Sequence, residues 1–228
     1  PTKTDRYIGG TGIVSAHAAG FGEDVDFLSV VGDDEGSVYA ADHLAKYEVN
    51  AHLVKDESRP TTIKQRFRAK GKTLLRVSYL HQGSVEALIR DQLGRLGSNL
   101  ISSCDLVVFS DFNYGCLPQT LVERLVERGT ALGRTMAADS QSSSQTGDVS
   151  RFKGMDLLTP TEWEARISLR NNEDGLVVLA ENIRKVSGAK NVILSMGSEG
   201  SMLHFEAQGD TFQTDRIEAL NSNPMDVA

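Results

Sequence analysis

The chain has 228 residues, of which 39% are hydrophobic and 24% charged. This length and composition suffice for a hydrophobic core, and we predict a single domain over residues 1–228. The formal net charge of −7 excludes a global attraction to polyanions, so we expect neither nucleic acid nor an acidic membrane surface as a partner.

The first element is "YIGGTGIVSAHAAGFG" (7–22), in which glycines precede a helix of small residues. Glycines allow a ligand to approach the backbone and leave amide groups available to an anion or a sugar hydroxyl. Close packing of the helix would use the same glycines. The motif alone does not decide between the two interpretations.

Most of the chain alternates apolar strands with helix-period segments, a pattern typical of βα units around a mostly parallel sheet. We predict a strand at 25–32 and a helix at 37–49 whose apolar face is formed by Val38, Ala41, Leu44 and Tyr47. Further strands are predicted at 105–111, 135–139 and 155–160. Pro118 is expected to begin a helix with Leu121, Val122, Leu125 and Val126 on one face.

The exception is the segment 61–80, where two β-rich runs flank "AKGK" and predict an antiparallel hairpin. This hairpin, spanning about 59–80, could serve as a lid. Alternation places Lys64 and Arg66 on one face, with Arg76 from the return strand nearby, which is a cluster suited to phosphate. The alternative is a charged edge strand that resists aggregation.

Two acids, Asp111 and Asp139, are the last residues of predicted strands, and ligands of open α/β sheets bind at this end of the strands. A strand-end acid also caps a following helix, so each residue has a structural alternative. The segment "VILSMGSEGSM" (192–202) predicts a strand, a glycine turn and a second strand. The turn is either an ordinary connection or a backbone surface for a nucleotide.

These motifs occur in an order that resembles the ribokinase-like (PfkB) carbohydrate kinases, and within them the kinases of heptose 7-phosphate. The resemblance covers essentially the whole chain. It rests on these blocks: "GGTGIVSAHAAGFG", "VVGDDEGS", "RPTTIKQRF" with "LLRVSY", "SDFNYG", "LLTPTEWEA", "LSMGSEGS" and "MDVA". The pair "RPTTIKQRF" and "LLRVSY" is the block most specific to the heptose branch.

The resemblance implies an α/β, three-layer αβα ribokinase-like fold with a mostly parallel central sheet and a small β-hairpin lid. It implies transfer of the γ-phosphoryl of ATP to a hydroxyl of a sugar or sugar phosphate, a reaction that depends on positioning and charge neutralisation. The site residues it implies are Gly9, Gly10, Asp34, Lys64, Arg66, Arg76 and Asp111 for the sugar; Asp139, Thr161, Ser195, Gly197 and Gly200 for ATP; and Glu164 for Mg²⁺ through water.

In the family, the approach Asp-Val-Ala is followed by Gly-Ala-Gly-Asp, whose acid is the general base. Asp226 belongs to this approach, and we expect the base just after Ala228. The sequence also lacks the family's first strand before "PTKTDRY", so we expect these residues to be part of a longer protein. The resemblance further implies a homodimer through the lid.

The chain departs from the family pattern at several positions. Ile13 takes the place of an Asn that bonds the sugar, Tyr114 takes that of a Lys, and Thr161 that of the Asn in Asn-x-x-Glu. Two alternatives to a heptose kinase therefore stay open. One is a kinase of an unphosphorylated sugar or a nucleoside, and the other is a non-catalytic ligand-binding member of the fold.

Localisation is predicted from what the sequence lacks. No apolar run reaches the roughly 20 residues of a membrane span, and no leader pattern is present. Cys104 and Cys116 have neither disulfide nor zinc spacing. We expect a cytoplasmic protein.

Overall fold

The structure is a computed structural model that describes residues 3–69, 72–142, 146–207 and 211–220. The chain divides into two compact units. The first comprises Pro1–Leu100 and Tyr114–Leu121, and the second Ile101–Asn113 and Val122–Ala228. Each unit is described by itself.

The first unit begins with α1 (Thr11–Gly20), β1 (Val25–Val31), α2 (Glu35–Lys46) and β2 (Val49–Lys55). β1 and β2 pair in parallel, from Val25 opposite Val49 to Val31 opposite Lys55. The strand predicted at 25–32 is confirmed, whereas β2 was not predicted. Parallel pairing requires the crossover that α2 supplies.

The predicted apolar face of α2 is wrong in three of its four positions. Leu44 is buried, but Val38 and Tyr47 are 61% and 48% exposed, and Ala41 is also exposed. The buried residues of α2 are Ser37 and Leu44, two helical turns apart. Because a sheet of only two strands offers a narrow surface, it covers a narrow strip of the helix.

The predicted hairpin is confirmed. β3 (Ile63–Ala69) and β4 (Lys72–Tyr79) form a separate two-stranded antiparallel sheet with a bulge between Phe67 and Arg68. We call these two strands the lid hairpin. Large apolar side chains on it are exposed, namely Ile63, Phe67, Leu74, Leu75 and Tyr79.

Two longer helices contain residues of both units. They are α3 (Ala87–Ile101) and α4 (Gln119–Ala131). α4 begins directly after Pro118, whose carbonyl accepts a hydrogen bond from the amide of Leu121, as predicted from the tolerance of a first helical turn for proline. Leu121, Val122 and Leu125 are buried, which confirms the apolar face predicted for this helix.

The second unit is built on a six-stranded sheet with the strand order β10-β9-β8-β7-β6-β5. Its strands are β5 (Leu106–Asp111), β6 (Thr135–Ser140), β7 (Leu157–Leu158), β8 (Asn191–Ser195), β9 (Ser201–Glu206) and β10 (Phe212–Ile217). β5 to β8 pair in parallel, and β9 and β10 extend the sheet in antiparallel. The sheet is therefore mostly parallel, as predicted.

Helices α5 (Glu162–Leu169) and α6 (Leu176–Ser187) contribute to the core of this unit. The core side chains have at most 1% of their surface exposed: Val122, Phe152, Leu158, Leu179, Ile183, Val192 and Leu194. The parallel strands are thus held in place by a closely packed core, which fixes the backbone positions of the residues at their carboxyl ends.

Candidate functional site

The carboxyl ends of β5 and β6 carry Asp111 and Asp139, and the first turn of α5 carries Glu164. We call these three carboxylates the acidic edge. They come together because parallel strands end at the same edge of a sheet and because α5 begins a few residues after β7. All three belong to the second unit.

Glu164 is held by backbone amides on both of its oxygens. The amide of Thr161 donates to Oε2 at 2.8 Å, and the amide of Ser142 donates to Oε1 at 2.9 Å. The Thr161 hydroxyl accepts from the amide of Glu164, which completes a capping box at the start of α5. The side chain is buried, so its orientation is fixed before any ligand binds.

Asp111 is 4% exposed and forms an ion pair with Arg151, whose side chain is 18% exposed and whose Nη2 lies 2.7 Å from Oδ2. Its other oxygen accepts the amide of Asn113 at 2.9 Å. Arg151 also lies over the ring of Phe152, 4.5 Å from its centroid. Protein partners therefore hold both oxygens of Asp111.

The loop after Asp111 is tied to the end of the next strand by a side chain. Asn113 has φ 59°, a left-handed conformation that asparagine adopts more readily than most residues, and its side-chain amide donates to the carbonyl of Gln141 at 2.7 Å. This bond connects the ends of β5 and β6 within the second unit. The loop geometry is thus fixed by a side chain rather than by secondary structure.

Asp139 has weaker protein contacts than its two neighbours. Its Oδ1 lies 3.4 Å from the hydroxyl of Thr159. Burial, followed by the nearby charge of Glu164, raises the pKa of Asp139 to about 6, although the hydroxyl contact with Thr159 lowers it. Asp139 therefore changes charge close to neutral pH.

The turn between β8 and β9 lies beside Thr161. Ser195 forms a parallel bridge with Thr161, and its amide donates to the carbonyl of Pro160 at 2.9 Å. Gly197, at φ 61°, has open space where a side chain would begin. Gly200, at φ 89°, has none, because a Cβ there would lie 2.0 Å from the carbonyl oxygen of Ile217.

In the first unit, Gly9 and Gly10 are exposed and precede α1. Gly10 has φ 57° and ψ −140°, a backbone conformation that favours glycine. Asp34 caps α2 by accepting the amide of Ser37, and its second oxygen accepts the amide of Thr61 at 2.7 Å. Burial raises the pKa of Asp34, but the hydrogen bonds from Thr61 and Ser37 outweigh this effect and lower the pKa below its ordinary value.

The lid hairpin brings its cations to one face. Arg66 lies directly opposite Arg76 and Lys64 opposite Ser78. The Nζ of Lys64 lies 5.3 Å from the centroid of the Tyr114 ring, within the range of a cation–π contact. The alternation predicted from the sequence therefore does place Lys64, Arg66 and Arg76 together.

Residues 1–219 match the family model described as pfkB family carbohydrate kinase. This chain belongs to the pfkB family of carbohydrate kinases.

Curated relatives of this pfkB chain include the "Bifunctional protein HldE" of a Nitratiruptor species, 26% identical over 207 residues, which are 90% of the chain and 43% of the relative. The protein of the same name from Paramagnetospirillum magneticum is 27% identical over 225 residues, 97% of the chain and 44% of the relative. The chain thus spans less than half the length of these relatives.

Solved structures share the fold at low sequence identity. Ribokinase from Giardia lamblia matches with a TM-score of 0.72 at 16% identity, over 97% of this chain and 69% of that one. The tetrameric inhibited form of phosphofructokinase-2 from Escherichia coli matches with a TM-score of 0.70, also at 16% identity, over 90% and 66%. The predicted ribokinase-like α/β fold is confirmed.

Membership of the pfkB family implies ATP as the phosphoryl donor. Among the residues that the structure describes, no group of three or more His, Cys, Asp or Glu side chains is placed to hold a metal ion. Glu164, with both oxygens on backbone amides, suits an indirect contact with Mg²⁺ through water better than direct ligation. No helix in the described ranges is long and apolar enough to cross a membrane.

Sequence reasoning missed three residues whose side chains hold loops next to candidate site residues. Arg151 gave no signal, because "VSRF" has the composition of an ordinary loop. Arg59 and Asn113 lie within the quoted blocks "RPTTIKQRF" and "SDFNYG" but received no role. Asp226, predicted to approach the anion-hole turn, lies outside the described residues.

Proposed function

We propose that this chain is the kinase part of a protein that transfers the γ-phosphoryl of ATP to a hydroxyl of a sugar that already carries a phosphate, with heptose 7-phosphate as the first candidate. Family membership supports the phosphoryl transfer. The blocks shared with heptose 7-phosphate kinases support the acceptor.

The observation that carries the choice of acceptor is the cation face of the lid hairpin. Like charges directly opposite each other on a hairpin repel. Arg66 and Arg76 hold such a position, with Lys64 on the same face one pair further along. A phosphate bound between them relieves the repulsion and gains charge-assisted hydrogen bonds from two guanidinium groups.

We assign the remaining roles from the contacts within each unit. In the first unit, Gly9 and Gly10 offer open backbone to the sugar. Asp34 uses both oxygens to hold α2 and Thr61, so we assign it to shaping the sugar-binding loops. Asp111 has the same kind of role in the second unit, because Arg151 and the Asn113 amide hold it.

ATP is assigned to the surface formed by Thr161, Ser195 and the glycine turn, with Asp139 at the neighbouring strand end. Open space at Gly197 suits the approach of a nucleotide to the backbone, whereas Gly200 serves packing against residues 217–219. Mg²⁺ supplies charge neutralisation of the transferred phosphate when bound. Glu164 would hold it through ordered water, since backbone amides occupy both of its oxygens.

The test is a comparison of acceptors in the full-length protein. ATP consumption is measured with heptose 7-phosphate, fructose 6-phosphate, ribose and adenosine. We expect the highest kcat/KM with heptose 7-phosphate. Faster turnover of ribose or adenosine than of either phosphosugar would contradict the proposed acceptor class.

The double variant Lys64→Met with Arg66→Met tests the cations themselves. We expect KM for the phosphosugar to rise at least about a hundredfold, because two charge-assisted contacts are lost, while KM for ATP stays unchanged. Lys72→Met is the matched control, since Lys72 is a cation on the same hairpin but pairs with Ala69 near the turn. An unchanged phosphosugar KM in the double variant would show that these cations do not bind the phosphate.

Nucleotide binding can be measured through Trp163, the single tryptophan of these 228 residues. It is 63% exposed and stands in the first turn of α5 beside Glu164. We expect its fluorescence to change when Mg²⁺-ATP binds, and the change to be lost in Trp163→Phe. A normal ATP KM without any fluorescence change would place the nucleotide elsewhere.

A neutral acceptor is the second candidate, and Ile13 is the residue that favours it. Ile13 is half-buried on α1, just after the exposed glycines, and its side chain offers no hydrogen bond to a sugar. A site that uses apolar contact there fits a nucleoside or a less hydroxylated acceptor. The acceptor panel above distinguishes the two candidates directly.

We also propose that the lid hairpin mediates a homodimer. The face opposite the cations carries Ile63, Phe67, Leu75, Val77 and Tyr79, and four of these side chains are at least 43% exposed. Burying such a face against a second copy removes apolar surface from water. Light scattering of the purified protein should give twice the chain mass, and Phe67→Ser should shift it to the monomer; a monomeric wild type contradicts the proposal.

A further inference from the structure

One guanidinium, that of Arg59, joins three segments of the first unit. Its Nε donates to Asp56 Oδ2 at 2.8 Å, Nη1 to the carbonyl of Tyr114 at 3.2 Å, and Nη2 to the carbonyl of Gly83 at 3.1 Å. Arg59 precedes the lid hairpin and Gly83 follows it. The side chain therefore connects the entry and the exit of the hairpin to each other and to the 114–121 segment.

Asp56 is prepared to hold this guanidinium in one orientation. Its Oδ1 accepts both the amide and the hydroxyl of Ser58, at 3.0 and 2.6 Å, which leaves Oδ2 for Arg59. Burial raises the pKa of Asp56, but the Ser58 donors and the Arg59 charge outweigh it and lower the pKa below its ordinary value. The side chains of Asp56 and Arg59 are 5% and 7% exposed, so water has little access to the bond between them.

The entry segment is also fixed against the turn between β1 and α2. The amide of Gly32 donates to the hydroxyl of Thr61 at 3.0 Å, and the amide of Thr61 donates to Asp34. A Cβ on Gly32 would lie 2.6 Å from the carbonyl oxygen of Arg59. The chain up to Thr61 is thus held tightly, whereas the strands beyond it are mostly exposed.

A two-stranded ribbon of this kind has little packing of its own to fix its direction. Its orientation depends on the bonds at its base, and among the described residues Arg59 makes two of them, alongside the bond from the amide of Val85 to the carbonyl of Gly115. Arg59 also holds the backbone of Tyr114, whose ring lies under Lys64, a residue five positions after Arg59. The same guanidinium therefore sets the positions of both partners of the Lys64–Tyr114 contact.

We propose that Arg59 is a positioning residue for the acceptor phosphate: it fixes the base of the lid hairpin and so aims Lys64, Arg66 and Arg76. This inference rests on the proposed function for its substrate. Arg59 itself does not touch the phosphate. Lysine cannot replace it, because an ammonium group lacks the planar fork that reaches a carboxylate and two carbonyls together.

The test compares Arg59→Lys and Arg59→Met in the full-length protein. We expect Arg59→Lys to raise KM for heptose 7-phosphate about ten- to a hundredfold, since a small misplacement of binding groups is costly. We expect kcat to stay within about twofold and KM for ATP to stay unchanged. Arg124→Met, on the exposed face of α4, is the control and should behave as wild type.

Hydrogen exchange supplies a readout that does not depend on activity. In Arg59→Lys we expect faster exchange in 63–69 and 72–79, with unchanged protection in β1 and β2. Faster exchange throughout the first unit, or failure of both variants to fold, would mean that Arg59 is merely structural and overturns the inference. An unchanged phosphosugar KM with slow hairpin exchange overturns it equally.

Failure of the proposed function would look different. If the wild-type protein phosphorylates neither heptose 7-phosphate nor fructose 6-phosphate, the acceptor class is wrong whatever Arg59 does. Hairpin exchange then still decides whether Arg59 fixes the lid: faster exchange confined to the hairpin supports that role, and no change in exchange rejects it.

Discussion

The acidic edge and the lid hairpin carry opposite charges and depend on different kinds of support. The three carboxylates stand at the ends of elements whose side chains pack into a closed core, and Asp111 and Glu164 have protein donors on both oxygens. The cations stand on a ribbon with exposed apolar side chains, fixed mainly at its base. The first region is organised before ligands arrive, while the second relies on a few bonds at one end.

The difference follows from the chemistry of the groups. A buried carboxylate is costly unless it is paired, so the fold must supply donors for it. Exposed lysine and arginine side chains keep their hydration and need no such supply. A cation on a ribbon can therefore be repositioned at low cost, and the bonds at the base of the ribbon decide where it points.

The largest expected difference between the regions concerns their apolar residues. Leu158, on the central strand β7, is fully buried, whereas Leu75 on the hairpin is 56% exposed. We expect Leu158→Ala to lower the free energy of unfolding by about 3 kcal/mol, by loss of burial and formation of a cavity. Leu75→Ala should cost less than about 1 kcal/mol. Urea denaturation measures both, and similar losses would show that the hairpin is packed after all.

The next effect concerns the ion pair of the acidic edge. Arg151→Gln leaves Asp111 buried without its charged partner, and we expect a loss of about 3 kcal/mol in unfolding free energy. Adding Asp111→Asn should restore a large part of it, because the unpaired charge is then removed. Arg124→Gln serves as the control at an exposed position. Equal losses in the single and the double variant would mean that Asp111 does not need Arg151.

At Asp139 we expect a smaller change in the free energy of unfolding, and here the substitution increases stability. Its pKa is raised from 3.8 to about 6, so the folded state holds this proton more tightly than the unfolded state. The stability of the wild type should therefore fall as the pH rises from about 4 through about 6. We expect Asp139→Asn to lack this fall and to exceed the wild type by about 1–2 kcal/mol at pH 7.5.

Denaturation at pH 5.0 and pH 7.5 checks this prediction. The gain from Asp139→Asn should be larger at the higher pH, where the wild-type carboxylate is ionised. A variant less stable than the wild type at pH 7.5 would show that the ionised carboxylate is favourably solvated or bonded in the folded protein.

The smallest effect on stability is expected on the hairpin. Arg66→Met removes one of two cations that face each other, and we expect the free energy of unfolding to change by less than about 0.5 kcal/mol. The same variant should raise the phosphosugar KM at least about tenfold. Denaturation and steady-state kinetics on one preparation check both numbers. A large loss of stability would mean that this cation supports the fold.

The fold and the hairpin could be predicted because their signals are local. Alternation along 61–80 specified the two strands and the face of Lys64, Arg66 and Arg76. The carboxyl ends of β5 and β6 could be predicted from apolar runs that end in an acid. The buried face of α2 could not be predicted, because it depends on the width of the sheet that the helix packs against. The sequence of the helix does not specify that width.

The supporting residues could not be predicted for a related reason. Arg151 meets Asp111 across 40 positions of sequence, and Arg59 meets the Tyr114 carbonyl across 55. Neither arginine stands in a pattern of its own. The fold brings distant loops together and thereby gives each arginine its partners. The spacing of residues along the sequence does not indicate these contacts.

The contact between Gly200 and the end of β10 has a consequence for protein engineering. The glycine turn and the segment 217–219 pack so closely at Gly200 that neither can be replaced without the other. Replacing the turn with that of another member of the family requires transplanting residues 217–219 as well. A library that diversifies residues 196–199 but keeps Gly200 would vary the same surface and preserve the contact with residues 217–219.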